Sequence, residues 1–162
     1  MGNSNNLSLD KKNIDTILVL DFGSQYTQLI ARRIRDLNVF SVILPWDVST
    51  EKIRSLNPTG VILSGGPESV TQSNTPRIPE IIFELDVPVL GICYGMQTLA
   101  EQFGGQVSSS KNKEFGQAEI LLEKPSLLFD GFSSGSSVDV WMSHGDHVST
   151  LPDEFNLIAS TK

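Results

Sequence analysis

Thr16-Ile17-Leu18-Val19-Leu20-Asp21-Phe22-Gly23-Ser24 is the stretch whose reading decides the architecture. Thr16 to Leu20 run apolar without alternation, the pattern of a strand covered on both faces. Asp21 to Ser24 turn the chain. Tyr26, Leu29, Ile30, Ile34 and Leu37 then recur at helical spacing, with Arg32, Arg33 and Arg35 late in the helix, where cations suit its dipole. One strand, a short turn and one amphipathic helix make the first unit.

The unit repeats. Phe40–Leu44 reads as a strand, Ser49–Leu56 as a helix and Gly60–Leu63 as a strand. Ser64-Gly65-Gly66-Pro67 is a turn, and Pro79–Leu85 is a helix opened by its proline. Val87–Ile92 is a fourth strand, followed by a helix over Tyr94–Phe103 that Gly104-Gly105 ends. This alternation predicts an α/β fold, a doubly wound and mostly parallel sheet. After Gly105 the rhythm changes. Gly116–Glu123, Val138–Met142 and Phe155–Ser160 read as strands with little helix between them, which predicts a mixed or antiparallel C-terminal edge. Ser108–Ser110 and Ser133–Ser137 read as Ser-rich loops, and Ser143–His147 as a loop after its strand.

Composition narrows the function. The 162 residues are 39% hydrophobic and 19% charged, the range of one globular domain, and the net charge of −7 argues against nucleic acid or an anionic membrane as partner. No apolar run approaches the ~18 residues of a membrane span. A single cysteine forms no internal disulfide and suits a reducing cytoplasm. Residues 1–15, polar and Asn-rich, are expected to be a disordered tail.

Gly91-Ile92-Cys93-Tyr94-Gly95 carries the chemistry. It sets a nucleophilic side chain between strand and helix with glycines two residues away on each side, the thiol counterpart of the nucleophile elbow. Larger residues at the two glycines would collide as the helix folds back over the strand. A thiol at a helix N-terminus feels the positive dipole end, and such sites bring a Cys pKa to ~7.5 or lower. The Tyr94 N–H faces the same space as an oxyanion donor. Gly65 and Gly66 follow the preceding strand, at the sheet edge where ligands collect, and are placed to add a second donor. His144 and His147 are the two imidazoles available as a base. With one Cys and no clustered carboxylates, no metal site is expected.

Several blocks resemble the class I glutamine amidotransferases, and among them the GMP synthase branch. These are Leu20 to Arg35 with its Phe22-Gly23-Ser24-Gln25-Tyr26, Ile62 to Ser69, Gly91 to Gln97, Glu114-Phe115-Gly116, and Val140-Trp141-Met142-Ser143-His144-Gly145-Asp146. The resemblance implies a flavodoxin-like amidotransferase domain over 16–162. Cys93 would form a γ-glutamyl thioester from L-glutamine, and the Gly66 and Tyr94 amides would hold the oxyanion. Gly65, Gln97, Ser143, His144 and Gly145 would bind the substrate. It also implies a partner: a synthetase (ATP-pyrophosphatase) domain or subunit that uses ATP and Mg²⁺ to turn XMP into GMP. No cofactor is expected in the amidotransferase domain itself.

One departure stands beside the match. The family completes its triad with a His-Pro-Glu beyond the Ser-His-Gly-Asp block, and these 162 residues contain none. Neither His144 nor His147 stands at the triad position. The expectation is a C-terminally incomplete domain, inactive or very slow alone. Two alternatives remain: a non-catalytic pseudo-amidotransferase that binds glutamine or a partner chain, and another thiol hydrolase with His144 or His147 as base.

Overall fold

In a computed structural model, residues 15–161 are described, except for the side chains of 110–115, 143 and 144. The tail expected over 1–15 therefore lies, Asp15 apart, outside the described residues. Four parallel strands form the first sheet in the order β2-β1-β3-β4: β1 Thr16–Asp21, β2 Phe40–Pro45, β3 Gly60–Leu63 and β4 Val89–Gly91. Helices α1 Thr27–Asp36, α2 Thr50–Leu56, α3 Ile81–Glu84 and α4 Tyr94–Gln102 connect or follow them. The strand order reverses beside β1, so the ends of β1, β3 and β4 open onto one crevice.

Burial explains the continuous apolar run. Leu18, Val19 and Leu20 are all fully buried although successive side chains point to opposite faces. Leu18 and Leu20 join Val61, Leu63, Ile53, Ile81, Ile82 and Tyr94 in one core cluster. Val19 fills the other face. Local chemistry sets the helix ends. Ser49 caps α2 by accepting from the Lys52 N–H, and Asn57 closes it in the left-handed conformation. Gly104 ends α4 at φ +88°, and the Gly105 N–H donates to the Ala100 carbonyl at 2.8 Å. The Ser41 hydroxyl donates to the Ala31 carbonyl at 2.9 Å and pins α1 to β2.

The antiparallel strands are present, and they form a sheet of their own: β5 Gln106–Leu122, β6 Ser137–Thr150 and β7 Ala159–Thr161, in the order β6-β5-β7. Both long strands exceed their expected lengths. The predicted loops at Ser108–Ser110 and Ser143–His147 lie inside them, with Ser108 opposite His147 and Ser109 opposite Asp146. The reason is cross-strand bonding. Ser108 and Ser149 share a hydroxyl hydrogen bond at 3.0 Å, so serines that read as loop formers act as ladder partners. Phe155, expected in the last strand, instead packs its ring on Phe103, which meets Phe83 edge-on. That contact leaves only Ala159–Thr161 to pair with β5.

Core and surface should separate cleanly on truncation. Ile53→Ala, at a fully buried position, is expected to cost about 2–5 kcal/mol, and Leu37→Ala, 76% exposed, within about 0.5 kcal/mol. Urea denaturation of the two variants checks this.

Candidate active site

Cys93 sits in the turn between β4 and α4 with φ +49° and ψ −113°, a conformation that side chains other than hydrogen rarely adopt. Backbone bonds hold the turn, among them one across it from the Gly95 N–H to the Ile92 carbonyl at 3.0 Å. The Ile92 N–H donates to the Leu63 carbonyl at 2.9 Å, the Gly95 N–H to the Ser64 carbonyl at 3.0 Å, and the Gln97 N–H to the Cys93 carbonyl at 3.0 Å. The flanking glycines are steric necessities. A methyl on Gly95 would lie 2.5 Å from the Leu63 carbonyl oxygen, and one on Gly91 would lie 2.6 Å from the Met96 Cα. The start of α4 is pressed against the ends of β3 and β4 here, and only glycine fits at these two contacts.

A cleft of about 280 Å³ opens over this turn. Gly23, Ser24, Gln25 and Tyr26 from the end of β1 line one side, Gly65, Gly66 and Pro67 from the end of β3 another, and Cys93 the floor. Gly65 lies between Ser24 and the nucleophile, since a methyl there would sit 3.5 Å from the Ser24 Oγ and 3.6 Å from the Cys93 Cβ. Gly66 is pressed harder, with 2.7 Å between such a methyl and the Phe22 carbonyl oxygen. The Tyr94 side chain belongs to the core, tilted against Phe22 and donating its hydroxyl to the Pro76 carbonyl at 2.6 Å. Its N–H is one of the first-turn donors that find no acceptor within a helix.

The electrostatics differ from expectation. Cys93 is open to solvent on the cleft side, but partial burial pushes its thiol above the ordinary value, against the pull of the helix end. No charge among the described residues offsets that desolvation, and no histidine is among the residues lining the cleft. His147 is exposed on β6.

The structure brings Cys93, Gly65 and Gly66 into one cleft, while Tyr94, Gln97 and Gly145 are not among its lining residues. Gln97 is buried in α4, its amide donating to the Asp146 carbonyl at 3.0 Å. Gly145 lies on β6 beside Asp146, where the β5–β6 register shifts. Ser143 and His144 belong to the same strand, and their side chains lie outside the described ones.

Sequence reading passed over three polar residues. The Asp21 carboxylate accepts from the Gly23 N–H at 2.9 Å and the Thr27 hydroxyl at 2.7 Å, shaping the wall that carries Ser24. Its Asp-x-Gly spacing is the signal of an Asx turn. Buried Ser64 accepts from the Phe22 N–H at 3.0 Å and so fastens the end of β1 to that of β3. Asp146 is held by bonds to residues far away in sequence, for which no local signal exists.

Comparison with known proteins agrees with this geometry. The family model for class-I glutamine amidotransferase matches residues 18–162. The chain is 57% identical over 150 residues to the glutamine-hydrolysing GMP synthase of Histophilus somni, covering 90% of this chain and 29% of that protein. With the GMP synthase of Teredinibacter turnerae the identity is 58% over 151 residues, again with 29% of the relative covered. The chain thus spans about three-tenths of the curated relatives it matches. Among solved structures, a Thermoplasma acidophilum protein assigned as one subunit of a GMP synthase superimposes with a TM-score of 0.75 at 33% identity, over 91% of this chain and 73% of that one. A glutamine amidotransferase from Thermotoga maritima shares the fold, with a TM-score of 0.67 at 22% identity over 90% of this chain and 66% of that one.

The desolvated thiol makes a pH prediction. Only the thiolate is alkylated, and its fraction keeps growing as pH rises through neutrality, because burial holds the thiol above its ordinary range. Iodoacetamide should therefore modify Cys93 at a rate that climbs about tenfold per pH unit through neutrality. A rate already flat above about pH 7.5 would instead show a thiolate stabilised by the helix end.

Proposed function

The chain belongs to the class-I glutamine amidotransferases, and from that premise we propose that it is the glutaminase part of a GMP synthase, with Cys93 as its nucleophile. The observation that carries the reading is the strained turn that holds Cys93 at the floor of a cleft beside the Gly65-Gly66 loop. The Cys93 thiolate attacks the side-chain carboxamide carbon of L-glutamine, forming a C–S bond and placing the negative charge on oxygen. The Gly66 and Tyr94 N–H groups receive that charge; removing one such donor costs about 10²–10³ in rate. The C–N bond then breaks, nitrogen takes a proton and leaves as ammonia, and a γ-glutamyl thioester remains. Water cleaves the thioester to glutamate and restores the thiol.

Gly65, Gln97 and the strand segment Ser143-His144-Gly145 hold the amino acid while this happens. Neither metal nor cofactor enters the balance of these steps. The ammonia passes to a synthetase domain or subunit, where ATP and Mg²⁺ activate XMP and ammonia displaces AMP to give GMP. The similarity to GMP synthases supports that partner. We place the protein in the cytoplasm, because its one thiol is free and must stay reduced to react. Among the described residues no helix is long and apolar enough to cross a membrane.

An affinity label tests the nucleophile and its substrate together. 6-Diazo-5-oxo-L-norleucine keeps the glutamine backbone and alkylates a thiol with loss of N₂. Mass spectrometry should find one adduct per chain, on Cys93, suppressed by L-glutamine and absent from Cys93→Ala. Labelling that L-glutamine leaves unchanged would overturn the reading.

Turnover should lag far behind labelling in these 162 residues alone. No cleft-lining residue among the described ones is a histidine, and a missing general acid–base group costs about 10²–10⁴-fold. Ammonia release at the rate of an intact amidotransferase would refute this.

A further inference from the structure

Asp146 joins three separate parts of the molecule. One carboxylate oxygen accepts from the Ser69 hydroxyl at 2.5 Å, and the other from the Ser109 hydroxyl at 3.0 Å. Its carbonyl accepts from the Gln97 side-chain amide at 3.0 Å. Ser69 belongs to the segment that begins with Ser64-Gly65-Gly66 after β3. Gln97 lies one turn into the helix that Cys93 opens, and Ser109 is on β5. A single residue of β6 is thus tied to the oxyanion loop, to the nucleophile helix and to its own sheet.

The catalytic turn is built without it. Cys93 and the glycine loop are fixed by bonds among β3, β4 and α4, namely Ile92 to Leu63 and Gly95 to Ser64. Within the segment Ser143-His144-Gly145, Ser143 pairs with Phe115 and His144 with Glu114, while Gly145 stands where the β5–β6 register breaks between Ser109 and Glu114. The ladder fixes the segment within its own sheet, and the bonds of Asp146 to Ser69 and Gln97 tie it across to the Cys93 side.

We propose that Asp146 is a positioning residue for substrate affinity: its two hydroxyl bonds and the Gln97 bond set the recognition segment of β6 at a fixed distance from the nucleophile turn. This deepens the proposed function and rests on it. The consequence is a split between binding and chemistry. Loss of the carboxylate lets the segment drift, so glutamine is held less well, while the thiol and its oxyanion donors keep their geometry. An interaction used equally in ground and transition states affects binding and leaves the chemical step alone.

The test measures labelling of the 162-residue chain by 6-diazo-5-oxo-L-norleucine across a range of label concentrations. For Asp146→Ala, the half-saturating concentration should rise about ten- to a hundredfold, with the limiting rate within about threefold of the parent. Asp146→Asn keeps one acceptor oxygen and should recover part of the loss. Ser69→Ala removes the tie to the loop after β3, together with the local bonds of its hydroxyl to Thr71, and should move half-saturation in the same direction. It also carries the test if Asp146→Ala does not fold. Half-saturation unchanged in Ser69→Ala and in a folded Asp146 variant would overturn the proposal. So would a fall in limiting rate at unchanged half-saturation. Failure of the parent chain itself to label, or labelling that L-glutamine does not suppress, would count against the glutaminase reading and not against the role of Asp146.

Discussion

A non-glycine residue at φ +49° and ψ −113° is costly, about 1–3 kcal/mol for such a backbone strain, and Cys93 holds that conformation only because everything around it leaves no other. β4 must end, α4 must begin, and the helix must return across β3 within a few residues. Gly95 touches the Leu63 backbone so closely that a methyl would overlap its carbonyl. Gly91 meets the first turn of the helix in the same way. The compensation lies in the buried parallel strands. β1 and β3 are locked by the Leu18–Leu20 and Val61–Leu63 core, and Ser64 is fully buried where it binds the Phe22 N–H. The sheet supplies the rigidity and the turn spends it on presenting a sulfur atom.

The same turn carries an electrostatic tension. A helix N-terminus favours the thiolate, and desolvation of the Cys93 side chain disfavours it more. The residues lining the cleft offer glycines, a serine, a glutamine, a tyrosine and a proline, and no cation. Geometry and protonation are therefore supplied by different sources. The turn fixes where the sulfur stands, and no cation or imidazole among the described lining residues sets when it is charged. A thiol kept protonated until substrate and base are both in place is also protected from adventitious oxidation, since oxidation follows thiolate character.

How legible all this was in the sequence depends on the range of the interactions. β1 to β4 could be read from continuous apolar runs, because burial on both faces leaves that pattern in consecutive residues. The elbow could be read because its steric demand falls on Gly91 and Gly95, two residues from Cys93. The second sheet was only half legible. Ser108, Ser109 and His147 have poor strand propensity, and what makes them strand is pairing with residues some forty positions away. Phe155 read as strand for its β propensity, and packing on Phe103 overrode it. Asp146 stands at the end of the Val140–Asp146 block without any local reason of its own. Its three bonds reach Ser69, Ser109 and Gln97, separations of 77, 37 and 49 residues.

The two sheets meet through contacts of different kinds, and that difference orders the functions they serve. Within the parallel sheet the parts of the catalytic turn are joined by backbone bonds and core burial, which tolerate little change without loss of the fold. Across to β6 the described ties at the site are polar: the Gln97 amide of α4 to a carbonyl, and the Ser69 hydroxyl, after β3, to a carboxylate. Each contributes modestly, and each can be removed without opening the core. An arrangement of this type allows the strength of substrate recognition to vary while the chemistry stays fixed. The strained turn would tolerate no such adjustment, because any relaxation of φ at Cys93 would turn its sulfur away from the Gly65-Gly66 loop that lines the cleft with it.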